Sequence, residues 1–297
     1  MPCDPLHSFS YRINIPQPGA FRHPARRKSA GGGESSSGPR PARHLHTFPG
    51  VIGLALIAIL SDFGQTEYVG ILRGVIQRLA PGTTVTDLYN EVRPQSIREG
   101  AWVLYTAYRY FPEDTIFLCV VDPGVGSDRQ ALAIRTRRYF FVGPDNGLLF
   151  PAVTEDGLKE AVQLPIPPDA APTFHARDVF APAAARLAAG TPMNELGPSA
   201  EIKARLRFHK KGREGEIVRV DRFGNIITNL PHIGKDSYHV IVEGYRRTLP
   251  FVRTYAEAPR GRLFVTEGSA GTLEISLRNR SAWSVMDVPL GSKITIE

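Results

Sequence analysis

VIGLALIAILSDFGQTEYVGILRGVIQRLAPGTTVTDLY, residues 51–89, is the stretch that decides the fold. It begins with a ten-residue apolar run, Val51 to Leu60, far short of the ~20 residues needed to cross a bilayer. Such a run, stopped by Ser61-Asp62, reads as a buried strand. Val69, Leu72, Ile76 and Leu79 then recur on one face and predict a helix over Tyr68–Leu79. Thr84–Leu88 reads as a second strand. Strand, helix and strand joined by short turns form a βαβ unit, and such units build parallel sheets.

The pattern continues beyond this unit. Ile97, Ala101, Leu104 and Tyr108 predict a helix over Ile97–Tyr110 that ends before Pro112, with Ser96 suited to cap its start. Thr115–Val121, Ala131–Thr136 and Tyr139–Val142 read as strands, and Val179–Ala188 as a helix. From about residue 200 the character changes. Glu216–Val220, Ile226–Asn229, His239–Val242, Leu263–Thr266 and Thr272–Leu277 are short β-branched or alternating runs separated by Gly, Asn and Asp turns. We therefore expect an α/β fold: an N-terminal doubly wound, mainly parallel sheet domain at 48–195 and a smaller C-terminal all-β domain at 200–297. The boundary falls near Gly190–Pro198. Residues 1–47, with Gly31-Gly32-Gly33 and Ser35-Ser36-Ser37, carry too little apolar surface to offset ordering entropy and read as a disordered extension.

The chain has 297 residues, 42% of them apolar, enough for a sizeable core. Its formal charge of +7 suggests nucleic acid until the charges are located. Residues 1–50 hold seven Lys and Arg against Asp4 and Glu34, which leaves only +2 for the remaining 247 residues. That balance offers a phosphate backbone no footprint. Cys3 and Cys119 lie in unlike surroundings, so neither a disulfide nor a zinc site is expected, and low cysteine use fits a cytoplasmic protein. No signal-peptide pattern is expected, nor a membrane partner.

Three strands of the first domain end alike, in Ser61-Asp62-Phe63-Gly64, Asp122-Pro123-Gly124-Val125-Gly126 and Gly143-Pro144-Asp145-Asn146-Gly147. Ligands of open parallel sheets bind at the carboxyl ends of the strands. Each turn would deliver a carboxylate to that edge, backed by glycines that let a ligand approach the main chain. None of them is a phosphate cradle: the Lys-Ser/Thr of a P-loop is missing, and no Gly-x-Gly-x-x-Gly opens a helix, which argues against nucleoside triphosphates and NAD. His175, in Thr173-Phe174-His175-Ala176-Arg177-Asp178, has the most telling context of the histidines. No clustered Cys or His accompanies it, so no metal is expected.

Taken in order over about 52–297, the segments at 61–64, 68–70, 122–129, 143–149, 173–178 and 221–226 resemble the S-adenosylmethionine hydroxide adenosyltransferases, hydrolases related to the fluorinases and chlorinases. The resemblance implies hydrolysis of S-adenosylmethionine to adenosine and L-methionine, with this molecule as substrate and no cofactor. It carries a catalytic triad onto Asp122, Arg129 and His175. It implies a substrate pocket built from Asp62, Asp221, Phe223, Asn225, Ser269 and Glu274, and a homotrimer whose site lies between the first domain of one subunit and the second domain of its neighbour. The chemistry fits such residues. A sulfonium is already a good leaving group, so C5′ needs only a nucleophile held in line and freed from bulk water. Asp122 with His175 would orient water or take its proton, and Arg129 would pair with the carboxylate and polarise the developing hydroxide. The fluorinases carry no carboxylate where Asp122 stands, and its negative charge would repel halide. Two other readings are a halogenase, which would want a neutral residue at 122, and a non-catalytic S-adenosylmethionine or adenosine sensor, against which the intact triad argues.

Overall fold

The computed structural model describes residues 55–297. The expected extension at 1–47 and the first four residues of the expected opening strand lie outside the described residues.

The strand read from the apolar run is β1 (Leu56–Ser61), followed by α1 (Glu67–Leu79), β2 (Thr84–Tyr89) and α2 (Ile97–Ala107). Ser96 stands at the N-cap of α2, but its side chain makes no capping bond. Then come β3 (Ile116–Val120), β4 (Ala131–Thr136), β5 (Phe140–Pro144), α3 (Phe150–Asp156) and β6 (Leu158–Gln163). These strands form one six-stranded sheet in the order β2-β1-β3-β5-β4-β6. Pairing is parallel from β2 through β5, and β4 runs antiparallel to both its neighbours. The sheet is thus mixed but mostly parallel, as expected.

Alternation along β1 shows why both faces must be covered. Ile57 and Ile59 pack with α1 and with α4 (Ala181–Ala188). Ala58 and Leu60 pack on the opposite face with Ala101, Val103 and Leu104 of α2 and Ala152 and Val153 of α3. A strand buried on both faces reads as the near-continuous apolar run seen in the sequence.

After the short α5 (Met193–Leu196) the chain enters a second sheet of seven strands, β7 (Glu214–Val220), β8 (Ile226–Thr228), β9 (Ser237–Val242), β10 (Tyr245–Pro250), β11 (Leu263–Glu267), β12 (Leu273–Leu277) and β13 (Lys293–Ile296), with α6 (Trp283–Met286) before the last. Its order is β10-β9-β13-β7-β8-β12-β11, antiparallel throughout. A bridge between Phe251 and Val265 draws the two outer strands together, so the sheet curls into a near-barrel around its own core. Among the described residues no helix is long and apolar enough to cross a membrane.

Charged side chains join the two halves. Arg98 on α2 forks both oxygens of Glu216 on β7, at 2.7 and 2.6 Å, and Glu216 is buried. Buried Glu99 lies between Arg93 (3.8 Å) and Arg219 (3.5 Å), and burial pushes its carboxyl above the usual range. A bidentate guanidinium–carboxylate pair fixes orientation as well as distance. Arg98→Ala would strand the Glu216 carboxylate. Since Arg98 itself is partly exposed, the expected loss is about 2 kcal/mol, below the range for a fully buried pair. A lower denaturant midpoint would register it, with only partial recovery in Arg98→Lys, whose point charge cannot fork.

Candidate active site

β1, β3 and β5 run parallel, so their carboxyl ends share one edge of the sheet. The turn after β1 is built by Ser61, whose hydroxyl donates to Asn90 Oδ1 at 2.8 Å, and by Gly64, whose N–H donates to Asn90 O at 2.7 Å. It presents Asp62, whose Oδ2 accepts from the Gln95 N–H at 2.8 Å. That bond holds Gln95 at a φ of 66°, a left-handed conformation rare for a residue with a Cβ.

The turn after β3 carries Asp122 and folds back through Ser127, whose hydroxyl donates to Gly124 O at 2.7 Å, to bring Arg129 beside it. Arg129 forks the carboxylate: Nε donates to Oδ1 at 3.0 Å and Nη2 to Oδ2. Nη2 also reaches His175 Nδ1 at 3.1 Å. All three side chains are nearly buried. Arg129 also lies over the Phe180 ring, 5.3 Å from guanidinium carbon to centroid.

His175 arrives from a different segment. Asp178 accepts from the Ala171 N–H at 2.9 Å and pairs with Arg177, closing the loop that bears it. The turn that follows, Ala176–Phe180, is a π-helix that takes the first two residues of the helix expected over Val179–Ala188, which begins as an α-helix at Ala181. Its cause is in the sequence: Pro182 has no N–H to offer the carbonyl four residues back, and the ring crowds it, so the turn widens. Gly126, at φ 80°, lets the Asp122 loop touch this second loop, since a Cβ there would lie 2.7 Å from Pro172 O.

Guanidinium protons can only be donated, so His175 Nδ1 is an acceptor and the ring proton sits on Nε2. Burial first, and the Arg129 charge second, lower the His175 pKa below its ordinary value, against the pull of Asp122 and Asp178. A neutral ring in this tautomer has no free lone pair. His175 is thereby arranged to donate from Nε2 rather than to accept a proton from water.

Asp62, Asp122 and His175 line a cavity of about 430 Å³, walled on one side by Phe63, Tyr68 and Phe174, which meet edge to face. Arg129 lies behind its floor. Asp145, the carboxylate of the third turn, does not reach it. Its two oxygens accept from the backbone N–H groups of Lys203 and Ala204, at 2.9 and 3.1 Å, and so tie down the segment leading to the second sheet. The expectation of three carboxylates at one site is corrected to two. The neighbouring Asn146 serves the site indirectly, donating to Val121 O at 2.8 Å beneath Asp122.

Asp221, Phe223, Asn225, Ser269 and Glu274 line a second cavity of about 1000 Å³ in the β domain, which shares no lining residue with the first. Phe223 is 73% exposed there, an aromatic face without a covering side chain. Asn225 Nδ2 donates to Asp221 Oδ2 at 2.8 Å. Burial raises the Glu274 carboxyl above its ordinary value, the Tyr255 hydroxyl opposing this and nearby Asp221 adding to it. The sequence reading passed over Tyr255, which sits in no glycine-rich turn, and took Tyr68 only as part of a helix and of the 68–70 segment of the resemblance, not as a site residue. Among the described residues no three His, Cys, Asp or Glu side chains gather as a metal-binding group.

Two family domains match this chain: the SAM hydroxide adenosyltransferase N-terminal domain over residues 57–197 and its C-terminal domain over 215–295. The chain is 39% identical over 255 residues to the (R)-S-adenosyl-L-methionine hydrolase of Thermus thermophilus, covering 81% of this chain and 98% of that one. It is 29% identical to a fluorinase of an Actinoplanes species, covering 69% and 85%. The crystal structure of an uncharacterized conserved protein from Thermotoga maritima superposes with a TM-score of 0.76 at 34% identity, covering 81% of this chain and all of that one.

The tautomer and the pKa direction are both measurable. Ring-nitrogen NMR should place the His175 proton on Nε2 at neutral pH, with a titration midpoint below the ordinary 6.5. Because the folded value is the lower one, the associated stability is complete above pH 6.5 and is lost as pH falls through the folded midpoint. The acid-side drop in Tm should therefore shrink in His175→Gln. A proton on Nδ1 would contradict the assignment.

Proposed function

The chain belongs to the SAM hydroxide adenosyltransferase family, and we propose that it cleaves S-adenosylmethionine with water at C5′, releasing adenosine and L-methionine. The observation that carries this reading is the Asp122 carboxylate, forked by Arg129 at the floor of a cavity on the carboxyl edge of the sheet.

Water bound there donates to the lone pairs of Asp122 that Arg129 leaves free. As its oxygen forms a bond to C5′, the C5′–S bond breaks, the electron pair leaves with methionine sulfur, and the proton passes to Asp122 and on to solvent. Arg129 positions the carboxylate, and His175 steadies Arg129 through Nδ1 while its Nε2–H donates toward the oxygen that becomes hydroxyl. The rings of Phe63, Tyr68 and Phe174 keep bulk water from that side.

Selection of water over halide follows from hydrogen-bond polarity. Arg129 compensates the Asp122 charge, so simple repulsion of anions is weaker than an isolated carboxylate would suggest. The carboxylate oxygens are acceptors, however, and water brings them protons that a halide lacks. The site as a whole joins the two cavities. Asp62 and the triad belong to residues 48–195, and Asp221, Phe223, Asn225, Ser269 and Glu274 to residues 200–297. A homotrimer, in which the first cavity of one subunit faces the second cavity of its neighbour, makes one substrate pocket of them. What supports this is that the two cavities share no lining residue within the chain. A cytoplasmic location, where the substrate is available and the buried thiol of Cys119 stays reduced, completes the reading.

Incubation with S-adenosylmethionine in heavy-oxygen water should give adenosine labelled at O5′ plus methionine, at a rate indifferent to chloride. A 5′-halonucleoside rising with halide would overturn the reading. Asp122→Ala should lose at least about 100-fold in kcat; it strands the nearly buried Arg129 guanidinium, so a lower Tm is expected in a chain that circular dichroism still shows folded. If the pocket is shared, inactive Asp122→Ala and Asn225→Ala chains should regain activity when co-assembled, because mixed trimers contain intact pairs; failure to complement would remove the shared site.

A further inference from the structure

The second cavity contains a hydroxyl that closes a circuit of hydrogen bonds. Tyr255, in the segment between β10 and β11, rests edge to face on buried Phe264 with ring centroids 5.9 Å apart. Its hydroxyl donates to Glu274 Oε1 and accepts from Asn225 Nδ2 at 3.3 Å. The other proton of that amide goes to Asp221 Oδ2 at 2.8 Å. Asp221 is held in turn, its Oδ1 accepting from the N–H groups of Phe223 and Asn225, both at 2.9 Å. Gly268 leaves the room Glu274 needs, since a Cβ at 268 would crowd its Oε2 at 2.5 Å.

A carboxylate oxygen accepts, so the amide nitrogen of Asn225, not its oxygen, must face Asp221. Both amide protons and the phenolic proton are then spent inside the protein. What Asn225 has left is Oδ1, which no donor reaches among the described residues. The circuit itself therefore offers a ligand acceptors and no donor; the donors of this cavity, among them Ser269, Arg278 and Arg280, stand elsewhere in its lining.

We infer that Tyr255 is a positioning residue that makes this cavity selective for a base bearing an exocyclic amino group, by taking the second amide proton of Asn225; the inference rests on the cavity being the nucleoside half of the proposed site. A 6-amino purine donates to Oδ1. A 6-oxo purine sets a second acceptor against it, and two desolvated acceptors cannot pair, a mismatch that enzymes convert into large discrimination. Without the phenolic oxygen, the second amide proton is free to turn toward the ligand and serve a 6-oxo group.

The test compares S-adenosylmethionine with its 6-oxo analogue on the wild-type enzyme and on Tyr255→Phe, with circular dichroism and Tm confirming the fold of the variant. Wild type should favour the 6-amino substrate by at least about 100-fold in kcat/KM. Tyr255→Phe should lower that preference about tenfold, through KM, with kcat for S-adenosylmethionine within about threefold of wild type. An unchanged preference in the variant, or a loss confined to kcat, would overturn the inference. If wild type turns over neither sulfonium, the hydrolytic reading fails separately. Calorimetric binding of adenosine and inosine then decides this one: a preference for adenosine that falls in Tyr255→Phe supports it, and equal preference in the two proteins overturns it.

Discussion

One guanidinium ties together segments that are otherwise far apart in the chain. Arg129 satisfies both oxygens of Asp122 and the Nδ1 of His175, so the loop after β3 and the loop before the π-helix share a single cation. Three nearly buried polar side chains would be costly if any one lacked its partner. Together they form a network in which the arginine sets the orientation of the carboxylate and the tautomer of the imidazole at once. The surrounding choices follow from that constraint: Gly126 lets the loops touch, Asp178 closes the histidine loop, and Pro182 widens the turn behind it.

Most of the architecture could be read from periodicity. A strand buried on both faces must be apolar throughout, and β1 is; α1 buries one stripe, Val69, Leu72 and Ile76, whose spacing shows it, while α2 is buried on every side from Glu99 to Leu104, pressed between the two sheets. β6, β10 and β13 were not legible. Leu158–Gln163 and Tyr245–Pro250 are mostly exposed and polar, and Lys293–Ile296 is too short for a pattern to emerge. The π-helix escaped because a widened turn keeps nearly the same apolar spacing as the helix it replaces.

For the candidate site, glycine-rich turns at strand ends pointed to the right edge of the sheet and to Asp62 and Asp122. They could not tell Asp122 from Asp145, because the difference lies in residues 203 and 204, whose N–H groups claim Asp145 from 58 and 59 positions away. The same limit hid Tyr255. Its neighbours Asn225 and Glu274 are 30 and 19 positions off, and only the closing of the near-barrel brings the three together. Long-range polar contacts leave no local period in a sequence.

The curl of the second sheet bears on solubility. Open sheets end in strands whose outer backbone groups invite another chain to pair. Here the bridge from Phe251 to Val265 turns the last strands toward each other, so the seven-stranded half offers little ladder to a stranger. Among the described residues the six-stranded half is less protected at β2, which pairs on one side with β1. That border carries Asp87, in an ion pair with Arg73, and a charge on a border strand discourages adhesion to other molecules. The far border, β6, is partly covered by the chain itself, since Gln163 N–H donates to Pro198 O and Ala200 N–H to Ala161 O, so that in a crowded cell the described residues present one guarded rim rather than four bare ones.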